Sequence, residues 1–294
     1  MTFIVRFWGT RGSIPTPGGK TRRYGGNTSC VELEIDGQLL ICDAGTGLRE
    51  LGLDLAARST SPVEAHLFFS HTHWDHIQGF PFFVPAYHAG SRLHVFEATP
   101  DDPRFTRLLL GQMQSDYFPV GFSDLGARIA TRHFENSVTQ LGQVRVEMRE
   151  QTHPGRSFAY AFEALGKRVV YATDNELDLV LTNPEQAAKD PEHLRMLPAE
   201  LLAFIAEADL LIADAQYTDE EYARKVGWGH SRVATVVDLA VQAGVKQVAL
   251  FHHDPLHSDE QIDHLLLDAQ KRASLRGSKV EIFAAREGLA LKLD

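Results

Sequence analysis

The stretch Ser70-His71-Thr72-His73-Trp74-Asp75-His76 constrains this chain more than any other. It places three histidines and a carboxylate within six residues, a composition that a close-packed core does not use. Ala65-His66-Leu67-Phe68-Phe69 ahead of it reads as a buried strand, and Ile77-Gln78-Gly79-Phe80 behind it as a helix start or a loop. The cluster therefore belongs on a strand-to-helix turn, where side chains of every parity can bend towards one point. Imidazole nitrogen and carboxylate oxygen are donors for zinc, manganese or iron, and the lack of thiolate argues against a closed structural zinc site. The stretch reads as a metal site.

A chain of 294 residues has room for one large domain or two modest ones, with ample core to bury. No apolar run approaches the roughly 18 residues a membrane span needs. Met1 to Phe7 alternates like a strand and lacks the basic and apolar regions of a signal peptide, so the cytoplasm is the expected compartment. The net charge of −10 argues against a long nucleic acid held on a basic face. It leaves room for a small phosphorylated substrate, because metal ions supply a local positive field. Asp36-Gly37 predicts a two-residue hairpin turn between strands near 29–35 and 38–43. In that register Cys30 lies opposite Asp43 and Cys42 opposite Val31, so the two cysteines face opposite sides of the sheet and read as core residues.

Along the chain, Phe7 to Gly19 reads as a strand end followed by a Gly/Pro surface loop. Asp43, at a strand end before Gly45-Thr46-Gly47, is a candidate for orienting a neighbouring ligand, with a turn-stabilising role as the alternative. Gly79 to Tyr87 is too proline-interrupted for a regular element. Residues from about 103 to 130 look like an insertion, helical over Arg104 to Met113. Strands are expected near 143–149, 158–163 and 168–172, with a second hairpin turn at Ala164-Leu165-Gly166-Lys167. Helices follow near 198–207, 231–243 and 259–275, and strands near 210–213, 247–251, 279–284 and 289–293. In this reading His71, His73, Asp75, His76, His153, Asp174, Asp214 and His252 all fall at or just beyond the C-terminal ends of apolar strands. Eight such placements exceed coincidence.

His71-Thr72-His73-Trp74-Asp75-His76 resembles the His-x-His-x-Asp-His motif of the metallo-β-lactamase superfamily, with His153, Asp174 and His252 in its later ligand positions. The resemblance covers nearly the whole chain. Phe7 to Thr16, Asn27-Thr28-Ser29, Ala208 to Ala215 and Gly229-His230-Ser231 look like the tRNase Z and phosphoribosyl cyclic phosphodiesterase branch. That branch commonly carries Glu where Asp214 stands, so the reach of the shorter side chain is in question. The fold implied is α/β (α+β), a single-domain four-layer αββα sandwich with two divalent metal ions at one edge, zinc first and manganese or iron as alternatives. Carried over position by position, His71, His73 and His153 would hold one metal. Asp75, His76 and His252 would hold the other, and Asp174 would bridge. Two cations about 3.5–4 Å apart can activate water and clamp a phosphodiester during in-line attack. Asp75 would also orient the nucleophile, and His230, oriented by Asp214, resembles the proton donor to the leaving oxygen. His253 reads as a neighbour of the site.

These residues imply a metal-dependent phosphodiesterase, a hydrolase acting on a small phosphodiester, cyclic ones included. The alternatives are a tRNA 3′-end processing endonuclease, a thioester or lactone hydrolase, and, outside enzymes, a metal-stabilised binding module. The expected partner is a small phosphodiester, with no membrane; self-association into a homodimer stays open.

Overall fold

The computed structural model describes residues 2–98 and 103–293. In chain order the elements are β1 (Phe3–Gly9), β2 (Cys30–Ile35), β3 (Gln38–Cys42), α1 (Gly47–Arg58), β4 (Glu64–Phe68), α2 (Trp74–Ile77), β5 (Arg92–Glu97), α3 (Arg104–Gln112), β6 (Arg128–His133) and β7 (Val138–Leu141). There follow β8 (Val144–Gln151), β9 (Ser157–Ala164), β10 (Lys167–Ala172), α4 (Pro184–Lys189), α5 (Ala199–Ile205), β11 (Leu210–Asp214) and α6 (Asp219–Tyr222). The chain closes with α7 (Val233–Gln242), β12 (Gln247–Phe251), α8 (Asp259–Leu275), β13 (Glu281–Ala284) and β14 (Ala290–Lys292).

Alternation along the buried strands sets the layers. In β10, β11 and β12 the side chains of Val169, Tyr171, Leu210, Ile212, Ala249 and Phe251 enter the core between two sheets. Their neighbours Val170, Ala172, Leu211, Ala213, Val248 and Leu250 face outward and pack under α5, α7 and α8 through Phe204, Val236, Val237, Ala240, Leu265 and Ala269. Strands apolar on both faces are what a sheet sandwiched between layers requires. On the other side, α1 and α3 deliver Leu48, Leu51, Phe105 and Leu109 to the first sheet. The result is a single-domain sandwich of helices, sheet, sheet and helices.

The first sheet has the order β14-β1-β2-β3-β4-β5-β6 and the second β13-β12-β11-β10-β9-β8-β7. Both switch from antiparallel to parallel pairing part-way across, at β3 and at β10 respectively. The two hairpins form as their turn residues dictate. Asp36 and Gly37 take φ of 48° and 84°, Leu165 and Gly166 take 56° and 72°, and Val31 lies opposite Cys42. The stretch from about 103 to 130 carries the connection between β5 and β6, which pair in parallel, so α3 lies in the crossover such a pair needs. Gly79 to Tyr87 forms two short 3-10 turns, Phe80–Phe82 and Val84–Tyr87. No described helix is long and apolar enough to cross a membrane.

Candidate metal centre

The site is assembled from strand ends. β3 is followed by Asp43, β4 leads into His71, β10 leads into Asp174, β11 ends at Asp214 and β12 is followed by His252. Asp43, Asp174 and His252 each adopt left-handed backbone, with φ of 60°, 54° and 58°. Such a conformation costs about 1–2 kcal/mol for a residue with a Cβ. Here it turns the side chain out of the strand's alternation and into the site. The turn Ser70–His73 and the short α2 supply the rest, and His153 comes from the β8–β9 connection.

The nine residues singled out from the sequence come together. His71, His73 and His153 place ring nitrogens within 4.8 Å of one another, and a carboxylate oxygen of Asp75 and ring nitrogens of His76 and His252 do the same in a second group. Asp174 stands between them. Its Oδ1 lies 3.7 Å from His71 Nε2 and 4.0 Å from His153 Nε2, whereas its Oδ2 lies 3.3 Å from His76 Nε2 and 3.4 Å from His252 Nε2. Within each group the donors sit at coordination spacing. His73 Nδ1 and His153 Nε2 are 3.3 Å apart, His76 Nε2 and His252 Nε2 are 3.3 Å apart, and Asp75 Oδ2 is 3.2 and 3.1 Å from the latter two. Tetrahedral ligands on bonds of 2.0–2.1 Å stand roughly 3.3 Å from one another. Independently, His71 Nε2 is buried and has no hydrogen-bond partner, a costly orphan unless a cation meets it. An all-nitrogen and oxygen donor set of this kind fits a divalent metal.

Electrostatics point the same way. Burial pushes the imidazoles of His71, His73 and His153 below their ordinary range, so they present neutral donors. Burial also opposes charge on Asp174, yet His252, His76 and His71 hold its carboxyl well below the usual carboxylate range. Desolvation of His76 is likewise outweighed by Asp75, Asp174 and Asp43, which raise it well above its ordinary value. Three carboxylates around one imidazole demand a positive charge there.

Backbone and carboxylate partners fix the rings from behind. Asp43 Oδ2 lies 2.7 Å from His76 Nδ1, and the Gly229 carbonyl 2.8 Å from His153 Nδ1. A carboxylate or carbonyl in that place selects the tautomer whose other nitrogen faces the metal. Gly229 has φ of 89°, and a Cβ there would come 2.2 Å from His153 Nδ1, so only glycine brings its carbonyl this close. His230 Nδ1 lies 2.7 Å from Asp214 Oδ2, so aspartate reaches far enough at this position. Burial lowers the His230 imidazole, but Asp214, then Asp174 and Asp75, bring it up to about 9. His253, buried, turns away and meets the Ala285 carbonyl at 2.8 Å.

Two features escaped the sequence reading. The stretch expected to be a surface loop is buried from Gly9 to Gly12. The Arg11 guanidinium donates to the carbonyls of Gly25, Asp254 and His257, and the Ser13 N–H donates to Asp75 Oδ2 at 2.7 Å. Carbonyl partners let an arginine be buried; the most distant lies 246 residues along the chain, beyond any local pattern. The second is Glu176, fully buried, which accepts from the Tyr222 hydroxyl and from the N–H groups of Gly227 and Gly229. It anchors the loop that carries His230. An acidic residue two places after Asp174 was the only visible signal. An open cleft of about 410 Å³ leads to the centre, lined by Ser13, Thr72, His73, Trp74, Asp75, Asp174 and His230.

The comparisons agree with this geometry. Residues 39–253 match the family described as the Beta-lactamase superfamily domain. A ribonuclease Z of Halobacterium salinarum is 28% identical, with 98% of this chain and 97% of the relative covered. Among solved structures, the metallo-β-lactamase fold protein YhfI from Bacillus subtilis superposes with a TM-score of 0.68 at 16% identity, covering 99% of both chains. A diphosphatase from the PhnP family superposes at 0.66 and 16% identity, covering 99% of this chain and 98% of that one. With the family match spanning most of the chain and the histidine–aspartate centre at its strand ends, this protein belongs to the metallo-β-lactamase superfamily of hydrolases.

Proposed function

We propose that the protein is a dinuclear metal-dependent phosphodiesterase acting on a small, including cyclic, phosphodiester. One observation carries the reading: the two oxygens of Asp174 divide between two donor groups, with the His230–Asp214 pair against the same centre at an open cleft. On this reading His71, His73 and His153 would hold one cation and Asp75, His76 and His252 the other, with Asp174 placed to serve both groups. Bound there, two divalent cations, zinc foremost, supply Lewis acidity and lower the pKa of water.

The side chains do the rest. Asp75, held by the Ser13 N–H, orients the attacking water. Asp214, foremost of the carboxylates that favour the charged form of His230, occupies Nδ1, so that Nε2–H is the one left to give. Donation to the leaving oxygen is worth about 10²–10⁴-fold. The tRNA 3′-end endonuclease is the second reading, favoured by the ribonuclease Z relative that matches nearly end to end. The net charge of −10 weighs against it, since tRNA binding draws on many cationic contacts.

Protein reconstituted with zinc or manganese and assayed against cyclic nucleotides, bis(p-nitrophenyl) phosphate, a thioester, a lactone and precursor tRNA separates these readings. Turnover confined to the small diesters is expected. Specific 3′ cleavage of precursor tRNA with weak diester turnover would replace the first reading by the second, and turnover of thioester or lactone alone would remove both.

A further inference from the structure

Trp74 stands between His73 and Asp75, two residues of the donor groups, so its backbone is fixed by the centre itself. Asp75 and His76 beside it are buried, yet Trp74 is 63% exposed and lines the cleft together with Asp174 and His230. An indole left in water forgoes the large burial that makes tryptophan favourable inside proteins. With only two side-chain torsions and an anchored backbone, it offers a flat apolar face at low ordering cost. A cation lies nearby. Arg104 Nη1 donates to the Gly155 carbonyl at 2.7 Å. Its Nη2 and His73 Nε2 lie 3.8 and 3.9 Å from the point where a Gly155 side chain would begin. The cleft thus offers a planar apolar surface, and near His73, one of its lining residues, stands a guanidinium suited to a phosphate oxygen.

We propose that Trp74 is a stacking platform for a nucleobase, which makes the substrate a small nucleotide diester instead of a base-free sugar phosphate. The inference rests on the phosphodiesterase reading and narrows it. The base lies on the indole, a phosphate oxygen meets Arg104, and the diester reaches the centre past His73. A stacked aromatic tolerates any base, so the preference is for a base as such and not for one identity.

The test is binding of a product-like ligand, independent of turnover. Zinc-reconstituted protein is titrated with adenosine monophosphate and with ribose 5-phosphate, followed by tryptophan fluorescence and calorimetry. Adenosine monophosphate is expected to bind about 10- to 100-fold more tightly and to quench fluorescence. Trp74→Ala should abolish that preference while keeping the metal content and the ribose 5-phosphate affinity, and Trp74→Phe should keep part of it. Equal affinities in the parent protein, an undiminished preference in Trp74→Ala, or no saturable binding of adenosine monophosphate up to millimolar concentration would each overturn the proposal. So would a far tighter, steeply salt-dependent binding of precursor tRNA, which would move the subsite to RNA. Base-dependent binding without turnover of any diester would remove the phosphodiesterase reading and leave the subsite standing. Turnover of a cyclic nucleotide untouched by Trp74→Ala at subsaturating concentration would do the reverse.

Discussion

At Asp43 a single carboxylate accepts from the Ser70 N–H and hydroxyl, the His76 Nδ1 and the Tyr171 hydroxyl, each at 2.7 Å. Its position at a strand end and its candidacy for orienting a ligand were legible in the sequence, but its partners were not, because Tyr171 and His76 arrive from 128 and 33 residues away. Asp214 is the parallel case. Its shorter side chain put its reach in question, and the structure answers with a 2.7 Å contact because His230 comes to it. The role proposed for His230 has a residue-level signature. His230→Ala should keep its metals and lose about 10²–10⁴-fold in rate on a diester with an alkoxide leaving group. With p-nitrophenolate, which departs without a proton, the loss should shrink. Equal losses on both substrates in steady-state assays, or loss of metal, would take His230 out of proton donation.

Among the elements, the loop from α6 to α7 depends most on one buried group. Glu176 satisfies the Tyr222 hydroxyl and the amides of Gly227 and Gly229, and Gly229 in turn holds His153. Glu176→Ala strands these donors and should cost about 2 kcal/mol or more in stability, given roughly 1–3 kcal/mol for each unsatisfied group. Hydrogen exchange should show the amides of Gly227 and Gly229 losing protection while those of α7 keep theirs; unchanged exchange at the two glycines would refute the anchor. Elements with strong local signals were readable. α8 was expected over its observed span, where Ser258 and Gln261 form a capping box, and the Asp36-Gly37 turn set its hairpin's register. Other elements, α1, β6 and β7 among them, were not anticipated. α1 carries glycines at both Gly47 and Gly52 and has no side-chain cap, which weakens its helical pattern. In β6 and β7 no described position is fully buried, so the alternation that marks a strand is faint.

Across the whole molecule, the two sheets repeat one plan, three antiparallel pairings followed by three parallel ones. Just beyond the strand where each sheet changes sense, β3 or β10, stands an aspartate with left-handed backbone, Asp43 or Asp174. Open α/β sheets gather ligands outside the carboxyl ends of their strands, and two sheets face to face bring the strand ends after β3 and β10 to one edge. This is why strand ends far apart in sequence supply a single centre, and why the strand-end pattern was readable before any partner was known. A dinuclear centre here requires Asp174 to serve both donor groups. Anomalous diffraction from zinc-loaded crystals tests this most directly. It should reveal two metal positions per chain, one near His71, His73 and His153 and one near Asp75, His76 and His252, each about 2.0–2.2 Å from a different oxygen of Asp174. A single metal in a fully active preparation, or two that do not share Asp174, would contradict it.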